Sequence, residues 1–553
     1  MFTQRLARFV ALATLIILCG AFAAADTTAR APFNRGVNLT GWFEVGSPRE
    51  IQFSRYTKED FADMKGLGMD VVRLPINLHY MTSGAPDYTL DPLFLEFLDE
   101  VVSWSEDLGI HIILDNHTFH PVKPTDGKVD RVLLKVWPQM AARYKDRSEF
   151  VIYEILNEPH GIDGKKWARI QGEVIEAIRA IDARHAIIVG PANYNTYNDL
   201  ATLPKYKDGN LIYTFHFYDP MVFTHQGADW GKPTLVDLGG VPYPSGAGEM
   251  PPVPKSLSGT WYETLMRNYR VEGTQKRVES LLDIAARFSK ERNVAVFCGE
   301  FGVYIPNADP AQRVEWYRQV RMYLESKGIA WTTWDYEGGF GLFEKVSGGD
   351  FDSDLNIPLI EALGYKAPPQ ADYVSAPESG AVEIYRDYAG PDILNRANPI
   401  GGTVDLYADN GPASGKYAIS FADCGQYGSV RFSFRRARDL SVLAGGGWAL
   451  ELMAKTSSPG SRLEARFLNP EGAGEMPWRM SCTLDDSNLP SDGQWHKIRV
   501  PLADMRETGA WNGSWHLPEG KFAWDRVAVF EIVAEFQPLK GSEFLFDDIS
   551  IVQ

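Results

Sequence analysis

The stretch Tyr153-Glu-Ile-Leu-Asn-Glu-Pro-His ends an apolar, strand-like run in residues that carry polar chemistry. Pro159 cannot donate to a sheet ladder, so the strand stops there and leaves Asn157 and Glu158 at its carboxyl edge. Taken alone, this also reads as an ordinary turn, because Asn and Pro are turn residues. A second stretch, Ala295-Val-Phe-Cys-Gly-Glu-Phe-Gly, repeats the arrangement with one acid, Glu300, at the end of an apolar strand. Two carboxyl groups on separate strand ends are what hydrolysis of a glycosidic bond requires: one protonated to donate to the leaving oxygen, one ionised to attack.

Other strand-like runs end in the same way. They contribute Arg73; Asp115, Asn116, His117 and, further on, His120; His160; His216, Tyr218 and Asp219; and Trp334, Asp335 and Glu337. A packed core rarely holds so many polar groups in one layer, since each left unpaired costs roughly 1–3 kcal/mol. Recurrence on six strands therefore points to a site. Arg73 and a hydrogen bond from Tyr218 are expected to keep Glu300 ionised. Trp334 offers a flat apolar face to a sugar ring. No Ser-His-Asp set sits on an identifiable nucleophile turn. His117, His120, His160 and His216 could converge on a metal, but none forms the i, i+4 helical pair common among ligands, so neither a metal nor a cofactor is expected.

Such residues need a scaffold that gathers strand ends on one face. Apolar runs at 36–39, 71–75, 110–115, 151–156, 186–189, 211–217, 295–301 and 330–334 read as strands. Amphipathic patterns lie between most of them: a start at Thr57 with acids in the first turn, and stretches at 93–108, 167–181, 273–290 and 310–327. Near-continuous apolar strands alternating with helices predict a parallel sheet covered on its faces, and eight such units predict a (β/α)8 TIM barrel over 33–365. An open doubly wound sheet would show a glycine-rich phosphate turn after its first strand; Thr40-Gly-Trp-Phe stands there instead. The connection from Asp219 to about Gly273 is long and carries Trp230, Tyr243 and Trp261, which suits a functional loop with small elements of its own.

Residues 366–380 read as a linker. Beyond it short alternating runs separated by turn residues predict an all-β jelly-roll sandwich over 381–553. Of the four cysteines, Cys19 falls in the leader, Cys298 in an apolar strand, and Cys424 and Cys482 in the late domain, where they could pair in an exported protein. Arg5 and Arg8, the apolar stretch 9–20 and Ala23-Ala-Ala read as a signal peptide over 1–25, so a secreted or periplasmic protein is expected, without a membrane anchor after cleavage. A formal net charge of -17 excludes a nucleic-acid partner, which would need clustered Lys and Arg.

In order along the chain, Arg35-Gly-Val-Asn-Leu, Val71-Val-Arg-Leu-Pro, Ile113-Leu-Asp-Asn-His, Ile155-Leu-Asn-Glu-Pro, Phe215-His-Phe-Tyr-Asp-Pro, Gly299-Glu-Phe-Gly and Trp331-Thr-Thr-Trp resemble glycoside hydrolase family 5, the cellulase-type branch of the retaining barrel glycosidases. The resemblance covers 33 to about 365. It implies that Glu158 is the general acid and then base and Glu300 the nucleophile. It further implies that Asn157 binds the hydroxyl beside the scissile bond, and that Arg73 and Tyr218 steer Glu300. His117 and His216 would bind sugar and support the acid, and Trp334 would stack at the cleavage subsite. The C-terminal part resembles jelly-roll carbohydrate-binding modules in Asp492-Gly-Gln-Trp-His-Lys-Ile-Arg-Val-Pro and Phe546-Asp-Asp-Ile, with Trp478, Trp511 and Trp515 as stacking residues or core aromatics and Asp547 and Asp548 as possible calcium ligands. The resulting expectation is a monomeric, secreted endo-β-1,4-glucanase acting on β-glucan with retention, with xyloglucan, β-mannan or β-1,3-glucan as alternative substrates and a non-catalytic glycan-binding protein as the rival from another class.

Overall fold

The structure, a computed structural model, describes residues 29–345, 348–472 and 474–553. The expected signal peptide and Cys19 lie outside them.

Eight parallel strands close into a barrel in chain order. They are β1 (Arg35–Asn38), β2 (Val71–Ile76), β3 (His111–Asn116), β4 (Val151–Glu154), β5 (Ile187–Val189), β6 (Leu211–Phe217), β7 (Ala295–Phe301) and β8 (Ala330–Thr333). Side chains alternate in and out along a strand, and that period builds the interior in layers. At the amino end Val71, Ile113, Ile152, Ile188, Ile212, Ala295, Phe297 and Ala330 form a small apolar core of their own, plugged from below by Phe33. Two residues further on, the inward positions are Arg73, Asp115, Glu154, Thr214 and Thr332, all buried. Two further again lie His117, His216 and Trp334. The barrel is thus greasy at its floor and polar towards the carboxyl ends.

Strict alternation would turn Glu300 outward, because Phe297 and Gly299 face in. The β6–β7 register resolves this: Phe215 pairs with Cys298, but His216 pairs with Glu300, so one extra residue is taken up at Gly299. Such a bulge re-aims the following side chain. Only glycine fits there, since a Cβ would lie 2.8 Å from Thr214 Oγ1 and 3.2 Å from His216 Nε2.

The expected helices are present as Lys58–Leu67, Pro92–Leu108, Gly164–Arg179, Gln275–Arg292 and Pro310–Ser326. Thr57 and Asp60 close a reciprocal capping box on the first. Among the helices outside the sequence reading are two of more than ten residues. Asp130–Tyr144 contains Pro138, which masks a helical pattern; Trp261–Glu272 sits inside the long connection after β6.

Strands from Val382–Arg386 to Glu543–Val552 form two seven-stranded antiparallel sheets. Their apolar residues join the core that surrounds the barrel: Phe53 and Phe97 of the barrel pack on Tyr388 and Tyr407, with Phe53–Tyr388 at 5.0 Å and Phe97–Tyr407 at 5.1 Å. Cys298, Cys424 and Cys482 are free thiols, so the pairing considered for Cys424 and Cys482 is not made. Trp478 is buried, whereas Trp511 and Trp515 are exposed. Asp547 is fully buried and Oδ2 accepts the backbone N–H groups of Ala413 and Ser414, the pattern of a loop-fastening carboxylate.

Candidate active site

Arg73, fully buried at the centre of the barrel mouth, organises the site. Its Nε and Nη2 donate to the two oxygens of Glu154 at 2.8 and 2.9 Å. Nη1 donates to Asn38 Oδ1 and to Glu300 Oε1, both at 2.9 Å, and Nη2 to Asn157 Oδ1 at 2.8 Å. Asp115 Oδ2 lies 3.0 Å from Nη2. Burial disfavours the guanidinium cation, but Asp115, Glu154 and Glu300 outweigh it and hold Arg73 well above its ordinary value.

Glu300 is gripped from two sides, by Arg73 on Oε1 and by the Tyr218 hydroxyl, which donates to Oε2 at 2.9 Å. Across the mouth stands Glu158. The ladder continues past β4 through Asn157, whose N–H donates to the carbonyl of Asn116 at 2.9 Å, and Glu158 then turns into the left-handed region at φ 43°. A non-glycine residue there stores strain that the surroundings must hold, a feature that clusters at functional sites. Its Oε1 lies 2.7 Å from His216 Nδ1, which is also 3.3 Å from Glu300 Oε2. One oxygen of each glutamate and the imidazole nitrogen fall within 4.8 Å of one another. Retaining glycosidases hold their carboxyl groups about 5–5.5 Å apart; inverting ones need about 6.5–9.5 Å to admit a water.

The two acids occupy different electrostatic settings. Burial, the dominant influence, pushes Glu158 up from 4.5 to about 7 against the opposing pull of His117, Arg73 and His160. Burial likewise lowers His216 to about 4, so this imidazole is neutral near pH 7. His117 goes the other way: desolvation opposes its cation, but Asp115 at 2.6 Å, with Glu44 and Glu300 beyond, raises it to about 9.

Trp334 is half-buried and stacks on His117 with ring centres 5.3 Å apart and planes at 16°. His117 Nε2 lies 3.3 Å from Asn157 Nδ2. All eight residues singled out in the sequence (Arg73, His117, Asn157, Glu158, His216, Tyr218, Glu300 and Trp334) therefore belong to one network. Within it His216 alone of the two histidines touches Glu158; His117 acts on the acid only through its charge. Of the remaining strand-end residues, His120 is exposed and its Nδ1 accepts the backbone N–H groups of Val122 and Lys123 at 3.2 and 3.3 Å. Asp219 ties down Tyr197 at 2.7 Å. His160 is buried under Tyr194, ring centres 4.2 Å apart.

Sequence reading did not single out Glu154, Asn38, Glu44 or Asn195. Glu154 and Asn38 are the last residues of β4 and β1, on inward positions, but the expected strands run past both, to 156 and 39, so they did not read as strand ends. Glu44 comes from a loop and Asn195 from a single irregular helical turn (Ala192–Asn195), where no period applies; the second lies 3.5 Å from His216 Nε2. Glu158, His216 and Glu300 also have the spacing of a cation site. Glu300, however, already accepts from Arg73 and Tyr218, and a second positive charge beside Arg73 would be repelled.

A cellulase family model (glycosyl hydrolase family 5) matches residues 31–339. Endoglucanase C of Acetivibrio thermocellus is 28% identical over 320 residues, covering 55% of this chain and 91% of that protein. Endoglucanase 3 of Fibrobacter succinogenes is 28% identical over 335 residues, 56% of this chain and 50% of that one. Among solved structures, Cel5A of Thermotoga maritima in complex with cellobiose superimposes with a TM-score of 0.50 at 28% identity, covering 60% of this chain and 97% of that chain.

Proposed function

The chain belongs to the cellulase family, glycosyl hydrolase family 5, and is a glycoside hydrolase; from this we propose that it is an endo-β-1,4-glucanase that retains anomeric configuration, with Glu158 as acid and then base and Glu300 as nucleophile. The observation that carries the reading is the separation of the two carboxylates, with facing oxygens within 4.8 Å.

In the first step a Glu300 oxygen attacks the anomeric carbon while Glu158 gives its proton to the departing glycosidic oxygen. The C–O bond to the leaving sugar breaks and a glycosyl ester on Glu300 forms. Glu158, now a carboxylate, takes a proton from water as the water oxygen attacks the same carbon, the ester breaks and both acids return to their starting states. The environments support this division of labour. Burial keeps the Glu158 proton in place up to about pH 7. His216 Nδ1 pairs with Oε1 at 2.7 Å and so holds the Glu158 carboxyl in place. Arg73 and Tyr218 stabilise negative charge on Glu300 and hold its orientation. Asn157, locked by Arg73 and beside His117, is the group for the neighbouring sugar hydroxyl, and Trp334 backed by His117 is the stacking face.

The substrate in this reading is a β-glucan chain, bound by a monomer. Export to the cell exterior or periplasm belongs to the same proposal; among the described residues no helix is long and apolar enough to cross a membrane. The sandwich over 381–553, with exposed Trp511 and Trp515, is proposed as a glycan-contacting module.

The test is NMR of fresh hydrolysate from soluble β-1,4-glucan, beside the same assay on Glu300→Gln. The β-anomer is expected first from the wild type and no turnover from the variant. An α-anomer appearing first, or hydrolysis surviving the substitution, would overturn the assignment.

A further inference from the structure

We propose that the C-terminal sandwich is a working part of the catalytic face, with Arg435 a positioning residue that holds the Trp334 loop through Glu337. The inference rests on the reading of Glu158, Glu300 and Trp334 just given.

Glu337 lies three residues beyond Trp334 and is only 5% exposed. Its two oxygens meet Nη1 of Arg435, from the sandwich strand Ser429–Arg438, at 2.9 and 2.8 Å. Oε1 also accepts the N–H of Gly348 at 2.7 Å. The other arm of the same guanidinium, Nη2, donates to the carbonyl of Arg55 in the connection after β1. One side chain from the sandwich thus ties together two barrel loops, the one after β8 and the one after β1. Those loops also clasp each other: Thr40 donates to Asp335 Oδ2 at 2.8 Å, and the Tyr336 N–H donates to the carbonyl of Asn38 at 2.9 Å. The Tyr336 ring packs edge-on against Tyr56, at 6.1 Å. Asn38 is in turn a ligand of Arg73, so the tie leads directly into the reacting centre.

Charge explains why Arg435 cannot simply be lost. Among the described residues Glu337 forms a salt bridge with Arg435 alone. It also lies close enough to Asp60 for the two acids to repel, and Arg435 offsets that repulsion at Asp60. Removing the cation strands a buried carboxylate beside a like charge, and the loop must move to hydrate it. A module merely attached to the barrel would need only contacts such as the exposed Lys416–Glu96 pair, 2.8 Å long, at the same interface.

The test uses the full chain. Arg435→Gln should lower kcat on soluble β-1,4-glucan about tenfold or more, since misplacing reacting groups by about 1 Å costs up to about a hundredfold. The descending limb of the pH profile near 7 should not move, because nothing at Glu158 changes. Adding Glu337→Gln should restore most of the loss by removing the stranded charge. Lys416→Ala, at the same interface but away from the loop, should leave kcat unchanged. Arg435→Lys keeps the charge, and with it the fold, but one ammonium cannot span Glu337 and the Arg55 carbonyl together; a kcat reduced about threefold or more is expected. Wild-type kcat in both Arg435 variants, with Glu300→Gln inactive, overturns this inference alone. Activity in Glu300→Gln overturns the catalytic assignment beneath it.

Discussion

Replacing Glu158 by Ala should sort substrates by how much help their leaving group needs. Burial holds the Glu158 proton to about pH 7 rather than 4.5, which corresponds to about 3 kcal/mol in favour of the neutral carboxyl. The side chain is 14% exposed, so solvent screens part of this and the figure is an upper bound. Wild-type kcat/KM should therefore fall as pH rises through about 7, by roughly tenfold per pH unit above it, since that parameter follows ionisation of the free enzyme. In Glu158→Ala a sugar leaving group departs without its proton. Cleavage of β-1,4-glucan oligosaccharides should drop by about 10²–10⁴, the usual contribution of a positioned acid, and the descending limb should vanish. An aryl glycoside whose phenolate leaves unaided should still acylate Glu300. The second step then lacks its base, so the glycosyl ester accumulates, visible as a burst of phenolate and as added mass on the intact protein. The assay is stopped-flow release of phenolate from pH 5 to 9 beside reducing-end analysis of the oligosaccharide. Equal losses on the two substrates, or a limb near pH 7 surviving in the variant, would refute the argument.

Two further substitutions probe the scaffold. Arg73→Met leaves Asp115, Glu154 and Glu300 without their shared cation inside the barrel; a loss of about 3–5 kcal/mol in urea unfolding is expected together with loss of turnover, and a cost below about 1 kcal/mol would contradict its central role. Gly299→Ala drives a Cβ to 2.8 Å from Thr214 Oγ1 and 3.2 Å from His216 Nε2, so thermal unfolding should report about 1–3 kcal/mol lost and kcat should fall as His216 shifts; an unaltered enzyme would mean that the β6–β7 bulge does not aim Glu300.

Much of this molecule was legible one residue at a time. Apolar runs of strand length, helical repeats between them and Thr57 with its acids follow from local sterics and burial, which act over a few residues. Placement of Glu158 and Glu300 at strand ends was legible for the same reason: in a parallel barrel, position along a strand decides the face on which its end residue emerges. What lay beyond local pattern needed neighbours distant in the chain. That Glu300 points inward at all depends on a register slip against β6. The opposite protonation of His117 and His216 depends on surroundings: burial, with Arg73 and His117 nearby, keeps His216 neutral, whereas Asp115, Glu44 and Glu300 overcome burial at His117. The half-buried bond from Arg435 to Glu337 joins residues 98 apart, and no periodicity within either segment points to the other. The residues set which chemistry is possible; only the tertiary structure, by fixing distance and burial, decided that Glu158 keeps its proton to about pH 7 and what holds it in place.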